Sequence, residues 1–162
     1  MNIGKIGVLA TMFVATVATA GARQPKPLPA FTVAAADGSA VESSALAGEG
    51  SSLLVYVQPR CAPCNALLEQ LNSDERKDAN RIVIVGGGMD GAAIAALAPK
   101  YKNLAASRWL ADSERTLVKA LAIEAQPTVF GLRHGNIEWR LAGTPRAPRE
   151  LESILFTWLE KR

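Results

Sequence analysis

Residues 55–64, VYVQPRCAPC, contain both cysteines of the 162-residue chain. The apolar run Leu53 to Val57, which overlaps this stretch, is typical of a buried strand. After it, apolar side chains recur on one face with helical spacing, at Cys64, Leu67, Leu68 and Leu71. The C-x-x-C motif is therefore predicted to lie where a strand ends and a helix begins.

This location favours a reactive thiol at Cys61. Unpaired backbone N–H groups and the positive end of the helix dipole stabilise a thiolate there, and Arg60 adds a positive charge beside it. Pro63 fits the first helical turn, where its missing N–H costs little. Cys64 falls on the apolar face and is expected to be more buried. Cys61 is therefore placed to attack a partner, whereas Cys64 is shielded from it.

Other uses of two cysteines are less consistent with the sequence. A purely structural disulfide would close too short a loop to remove much unfolded-state entropy. A zinc site needs two more ligands, but there is no second cysteine pair and the only histidine, His134, lies in a predicted turn. We therefore expect no metal site. A reduced, inert pair remains open for a cytosolic protein, so the compartment matters.

The amino terminus is typical of a secretory signal peptide, predicted over residues 1–22. A short positive region at Lys5 precedes an apolar run from Ile6 to Val17, and small residues follow as cleavage sites. The alternative is an uncleaved anchor, although this run is shorter than the ~20 residues of a spanning helix. Export would place the cysteines in an oxidising, periplasmic compartment, where a disulfide persists.

The remainder is predicted to form one domain, residues 30–162, after an extended proline-rich linker at 23–29 that forms no element. The formal charge of +3 and the lack of a dense basic run argue against a nucleic-acid partner. Strands are predicted at Phe31–Val33, from Val41 after an Asp37-Gly38 turn, at Arg81–Val85, Arg108–Ala111, Val129–Leu132 and Ile137–Leu141.

Helices are predicted at Ala62–Asn72, at Ala92–Ala98 before Pro99, and after a cap at Asp112 or Ser113. Leu151, Ile154, Leu155, Trp158 and Leu159 form the apolar stripe of a final helix. Arg133, Arg140, Arg146 and Arg149 are expected on the solvated surface. The pattern predicts an α/β sheet that is parallel in its middle and has an antiparallel edge pair.

Residues 86–91, GGGMDG, match the G-x-G-x-x-G dinucleotide motif, and Asp112 follows at a suitable spacing. The following helix is short, however, and only 50 residues remain after Asp112, too few for the second half of a doubly wound sheet. A flexible turn before a capped helix is the favoured interpretation, and no dinucleotide is expected.

Three stretches together resemble the thioredoxin superfamily, and within it the exported, TlpA- and ResA-like thiol–disulfide oxidoreductases. They are LPAFTVAAADGSAVESSALAGEGSSLLVYV (28–57), the Cys61-Ala62-Pro63-Cys64 motif, and ADSERTLVKALAIEAQPTVFGLRHGNIEWRLAG (111–143). The resemblance implies a thioredoxin-like α/β fold, a central mixed sheet flanked by helices. It also implies an N-terminal hairpin and an extra helix–strand unit from about Gly88 to Ala111.

The resemblance implies that Cys61 is the nucleophile, Cys64 the resolving thiol and Pro127 a cis-proline. A cis X–Pro bond would bring the backbone of Gln126 against the cysteines, and Gln126-Pro127-Thr128 could then pair with an extended substrate segment. An ordinary trans proline at the start of a strand is the alternative.

The chain departs from the family near the motif. Val57 to Arg60 replace the usual aromatic residues, and Val55 stands where plain thioredoxin has a buried aspartate. The proton acceptor for Cys64 is therefore open, with Glu124 or water as candidates. The peroxiredoxin pattern Pro-x-x-x-Thr-x-x-Cys is absent, because Gln58 stands three residues before Cys61, where that pattern has threonine. A peroxiredoxin is therefore excluded.

We therefore expect an exported enzyme that exchanges disulfides with partner proteins and has no cofactor beyond the Cys61–Cys64 pair. The resemblance favours a reductant, as in cytochrome c maturation, served by a membrane electron donor or acceptor. A periplasmic oxidant or isomerase is one alternative, which the Arg60 charge favours. A non-catalytic assembly protein that holds Cu(I) is the other.

Overall fold

The computed structural model describes residues 25–46, 48–73, 77–143 and 148–160. The predicted signal peptide, residues 1–22, lies outside the described residues. The strands are β1 Lys26–Pro27, β2 Thr32–Ala35, β3 Ala40–Glu42, β4 Ser51–Val57, β5 Ile82–Gly87, β6 Arg108–Asp112, β7 Thr128–Arg133 and β8 Asn136–Ala142. The α-helices are α1 Ala62–Leu71, α2 Gly91–Leu97, α3 Thr116–Ala120 and α4 Pro148–Glu160.

In this part of the chain the strands form a single mixed sheet in the order β1-β8-β7-β4-β5-β6-β2-β3. The three middle strands β4, β5 and β6 are parallel, while β7 and β8 form an antiparallel pair beside β4. The hairpin of β2 and β3 extends the other side of the sheet through β6. The predicted parallel middle and antiparallel edge pair are confirmed. The extra helix–strand unit consists of α2 and β6.

The core lies on both faces of β4, whose seven residues are all buried. Leu53, Val55 and Val57 point to the face covered by α1 and α4, and belong to the same apolar cluster as Cys64. Leu54 and Tyr56 point to the opposite face, where the N-terminal hairpin and α3 pack. A strand that is buried on both faces reads as a continuous apolar run, which is why the sequence alone located it.

The end of the predicted linker joins the sheet, which the sequence did not predict. Lys26 and Pro27 pair with Ile137 and Asn136 of β8, and the Leu28 amide donates to the Gly135 carbonyl at 2.9 Å. An edge position accepts a proline because its missing N–H can face solvent. The extended chain therefore covers the free edge of β8.

Two helix starts are held by aspartates. Asp90 is the N-cap of α2, and its Oδ1 accepts from the Ala93 amide at 2.8 Å. Asp112 is buried and accepts from the amides of Thr116 at 2.7 Å and Leu117 at 3.0 Å. Asp112 is not itself the N-cap residue of α3. That position belongs to Arg115, whose backbone is in the left-handed region with φ 54°.

Two surface expectations were wrong. Ile154 was expected in the buried stripe of α4, but 44% of its surface is exposed, while Leu151, Leu155 and Leu159 are buried. The buried stripe is thus narrower than the helical spacing suggested. Arg133 was expected in solvent but is half-buried, with its guanidinium carbon 4.5 Å from the centre of the Trp158 ring. Its long stem and planar head pack well on an aromatic face.

The other predicted surface arginines differ from Arg133. Arg140 is exposed, as expected. The side chains of Arg146 and Arg149 lie outside the described residues.

Gly87 should be essential for packing at the end of β5. A Cβ atom there would lie 1.8 Å from the Tyr56 hydroxyl, and forcing an extra methyl group into a packed core costs about 1–3 kcal/mol. We expect Gly87→Ala to lower the free energy of unfolding by that amount, measured by urea denaturation of the oxidised protein. Gly48→Ala is the control, because a Cβ there meets nothing within 4 Å. Equal stability of the two variants would contradict the close contact.

Candidate active site

The site is a disulfide between Cys61 and Cys64, with an S–S distance of 2.08 Å and a Cα–Cα distance of 5.2 Å. It lies between the end of β4 and the start of α1, where the sequence predicted it. Cys61 is the N-cap residue of α1, with extended backbone, and Pro63 is in the first helical turn. The buried strand fixes one side of the motif and the helix fixes the other.

The two sulfur atoms have different surroundings. Cys61 is partly exposed, whereas Cys64 is 1% exposed and packs in the core with α1 and α4. The Cys64 amide donates to the Cys61 Sγ at 3.2 Å. After reduction, the same amide and the helix start would stabilise a thiolate at Cys61. A partner thiol or disulfide can therefore reach Cys61 more easily than Cys64.

Arg60 is exposed and has a left-handed backbone, with φ 58°. This conformation is uncommon for a residue with a Cβ atom, and it turns the chain from β4 into α1. Arg60 forms no ion pair with the other described residues. Its charge is therefore available to the neighbouring Cys61 sulfur, although solvent screens it.

The peptide bond between Gln126 and Pro127 is cis, the geometry that the resemblance implied. Thr128 pairs with Tyr56, so the start of β7 lies beside the end of β4 and hence beside the cysteine motif. Gln126 is partly exposed in this loop. The Pro127 carbonyl accepts from the Gly143 amide at 2.7 Å, which ties the loop to the end of β8.

Thr128 contributes differently from the other two residues of this loop. Its side chain is fully buried, and its hydroxyl donates to the Ala125 carbonyl. The side chain therefore braces the loop from inside, and contact with a docked chain is left to the backbone and to Gln126.

The proton acceptor for Cys64 is not evident in the structure. Val55 is fully buried, in the same cluster as Cys64 and in the position where the resemblance would put an aspartate. Glu124 is exposed to solvent, an environment different from that of Cys64. Of the two proton acceptors that the sequence analysis considered for Cys64, water remains, and it can reach the partly exposed motif.

The glycines of the dinucleotide-like motif have packing roles. A Cβ at Gly86 would lie 2.6 Å from the Met89 sulfur, and one at Gly91 would lie 2.5 Å from the Ala36 carbonyl. Both glycines permit close contacts within the fold. Gly87 does the same beneath Tyr56, as described above.

Sequence reasoning missed one polar feature near this edge of the sheet. Tyr56 is fully buried, and its hydroxyl lies against Gly87, near the Gln58 side chain. Burial raises the pKa of Tyr56, and the nearby negative charge of Asp112 raises it further. The only sequence signal was a tyrosine inside an otherwise apolar strand.

The described residues hold neither a cluster of metal ligands nor a membrane-spanning helix. They contain no group of three or more histidine, cysteine or acidic side chains that could hold a metal ion. They also contain no helix that is long and apolar enough to cross a membrane.

The charge of Arg60 should speed the reaction of the Cys61 thiol. We expect Arg60→Glu to slow alkylation of the reduced protein by iodoacetamide at pH 7 about threefold or more, because a negative neighbour disfavours the thiolate. Arg60→Lys should react like the wild type. Added salt should reduce the difference in alkylation rate between the wild type and Arg60→Glu. Peptide mapping should find the label on Cys61 first. Labelling of Cys64 first would contradict the assigned exposures.

Several thiol–disulfide proteins are among the solved structures with a similar fold. A thiol:disulfide interchange protein of the thioredoxin family from Chlorobium tepidum matches with a TM-score of 0.63 and 18% identity, over 85% of this chain and 98% of that one. A secreted Mycobacterium tuberculosis disulfide oxidoreductase homologous to E. coli DsbE gives 0.62 and 20%, over 78% and 95%.

An exposed lipoprotein thioredoxin from Streptococcus pneumoniae gives a TM-score of 0.57 and 19% identity, over 79% of this chain and 98% of that one. No protein-family model matches the sequence, and no curated protein matches it. Since the identities are low, the likeness establishes the architecture. The chain has a thioredoxin-like fold with the C-x-x-C disulfide at the start of α1.

Proposed function

We propose that this protein is a thiol–disulfide oxidoreductase that acts on partner proteins. The observation that carries the proposal is the asymmetric disulfide. Cys61 is partly exposed at a helix N-terminus, and Cys64 is buried behind it and donates its amide to the Cys61 sulfur. This arrangement gives one sulfur access to a partner and keeps the other for an internal reaction.

The reaction begins with the reduced protein. The Cys61 thiolate attacks one sulfur of a partner disulfide, whose other sulfur leaves as a thiolate and takes a proton from solvent. Cys64 then loses its proton to water and attacks the Cys61 sulfur. This step re-forms the Cys61–Cys64 bond and releases the second partner sulfur. Two electrons pass to the partner, and the reverse sequence oxidises it.

The cis-proline loop supports the binding of a protein substrate. The start of β7 lies next to the end of β4, so the Gln126 backbone is close to the cysteine motif. An extended partner segment could pair with this exposed backbone edge while its sulfur reacts with Cys61. The roles of Gln126 and Pro127 as a docking edge, and of Arg60 and Pro63 in tuning the thiolate, belong to this proposal.

Reduction of partner disulfides in an exported compartment is the direction we propose. The resemblance to TlpA- and ResA-like proteins supports it, with cytochrome c maturation as the pathway and a membrane protein as electron donor. A signal-like segment at residues 1–22 and the secreted and surface-exposed neighbours support export. Stabilisation of the Cys61 thiolate acts in the opposite direction, since it makes the disulfide easier to reduce.

Substitution of the two cysteines should have different effects. We expect Cys61→Ser to abolish reduction of insulin by the protein with dithiothreitol, because no nucleophile remains. Cys64→Ser should form a mixed disulfide with its substrate that persists, since the resolving thiol is missing. Non-reducing electrophoresis and mass spectrometry would detect the trapped species at Cys61.

Both variants should fold like the reduced wild type. Circular dichroism spectra of the three proteins would check this. Activity retained by Cys61→Ser would refute the proposed nucleophile. Tight Cu(I) binding by reduced protein that has no reductase activity would favour the copper-handling alternative.

The reduction potential decides the direction. For a reductant we expect a value closer to the about −270 mV of thioredoxin than to the about −120 mV of the oxidant DsbA. Equilibration with glutathione mixtures, followed by alkylation and mass analysis, measures it. A potential near that of the oxidant would support the oxidase or isomerase alternative instead. Arg60→Glu should shift the potential to a more negative value, because it destabilises the reduced thiolate.

A further inference from the structure

A groove of about 480 Å³ lies between the segment that leads into the cysteine motif and the loop after β5. One wall is Pro59, two residues before Cys61. The other wall is formed by the loop after β5 and by one side of α2, and includes Met89, Ala96 and Leu97. The proposed function does not use this groove.

The α2 surface at the groove is unusual for a helix that faces solvent. The helix sequence is GAAIAAL and carries no polar side chain. Ile94 is its only fully buried residue, while its four alanines are exposed. A helix that is apolar all round normally lies against another surface, and small side chains allow a partner backbone to approach closely. The fold itself leaves this surface open.

The strand order connects the groove to the reactive sulfur. Because β4 lies between β7 and β5, the loop that carries Cys61 has the cis-proline loop on one side and the loop after β5 on the other. An extended chain that pairs near Gln126 and crosses Cys61 would therefore continue towards Pro59 and the groove. This step rests on the proposed function.

The charges around the groove favour an acidic partner. Lys100 is part of the groove lining, and Arg60 follows Pro59 in the chain. Neither cation forms an ion pair with another residue of the described part of the chain. The carboxylate of Asp90, also in the lining, already caps α2 through the Ala93 amide. An acidic side chain on the partner would meet two available positive charges.

We propose that this groove binds the segment of a partner protein that flanks its reactive cysteine. The segment is extended, places an apolar side chain against Met89 and Leu97, and carries an acidic residue that reaches Lys100. The groove thereby selects which disulfides the protein exchanges, while the cysteines perform the chemistry.

Two model peptides test the charge preference. Each has a Cys-Leu core as a mixed disulfide with neutral thiopyridine, flanked on both sides by glutamates in one peptide and by lysines in the other. We expect reduced wild-type protein to have a higher kcat/KM for the acidic peptide. Lys100→Glu should lower that value about threefold to tenfold and raise it for the basic peptide. The rate with dipyridyl disulfide, which has no peptide, should not change.

Two control variants isolate the groove. Lys102→Glu makes the same charge change at an exposed residue outside the lining, and should leave the peptide preference intact. Ala96→Glu should weaken the reaction of both peptides, whereas Ala95→Glu, on the same helix but outside the lining, should not. Equal effects of Lys100→Glu and Lys102→Glu, or no effect of either, would overturn the proposal.

Failure of the proposed function can be told apart from failure of the groove. If wild-type protein does not react with dipyridyl disulfide, the exchange chemistry is refuted. Calorimetry with peptides that carry serine for cysteine then still tests binding to the oxidised protein, and a lack of acidic preference refutes the groove. A concentration-dependent dimer that Ala96→Glu abolishes would show that a second copy occupies the surface, and would also overturn the proposal.

Discussion

Burial of the central strand β4 on both faces is the constraint on which the site depends. Its seven residues are all buried. Helices α1 and α4 cover one face of the strand, and the N-terminal hairpin and α3 cover the other. It pairs with β5 on one edge and with β7 on the other. Because the strand cannot shift without exposing this apolar surface, its end has a fixed position. Cys61, the cis-proline loop and the groove all take their positions from that end.

The helix that follows β4 makes the two cysteines chemically different. Cys61 occupies the N-cap position, where it accepts an amide hydrogen bond, while Cys64 turns into the apolar cluster. Helix geometry alone therefore produces one accessible sulfur and one protected sulfur. The charge of Arg60 is a smaller influence because its side chain is exposed to solvent. The absence of a carboxylate at Val55 leaves the proton transfer of Cys64 to another group.

Most of the elements were predictable because their apolar patterns are local. The strands β4 and β5 were visible as apolar runs, and the turn at Asp37-Gly38 as a turn signal. The errors concern contacts between distant residues. Ile154 has helical spacing but is exposed, and Arg133 is withdrawn from solvent by Trp158 from α4. The pairing of Lys26 and Pro27 with β8 likewise depends on a strand that lies far along the chain.

The sequence by itself determined the reactive pair, its place between a strand and a helix, and the order of strands and helices. Each of these follows from residue spacing within a short window. Only the tertiary structure decided which loops surround the disulfide, because the neighbours of β4 come from distant segments. It also decided that Ala93 and Ala96 of α2 are exposed and line a groove with Pro59. The periodicity of an apolar helix cannot show which of its sides the fold leaves open.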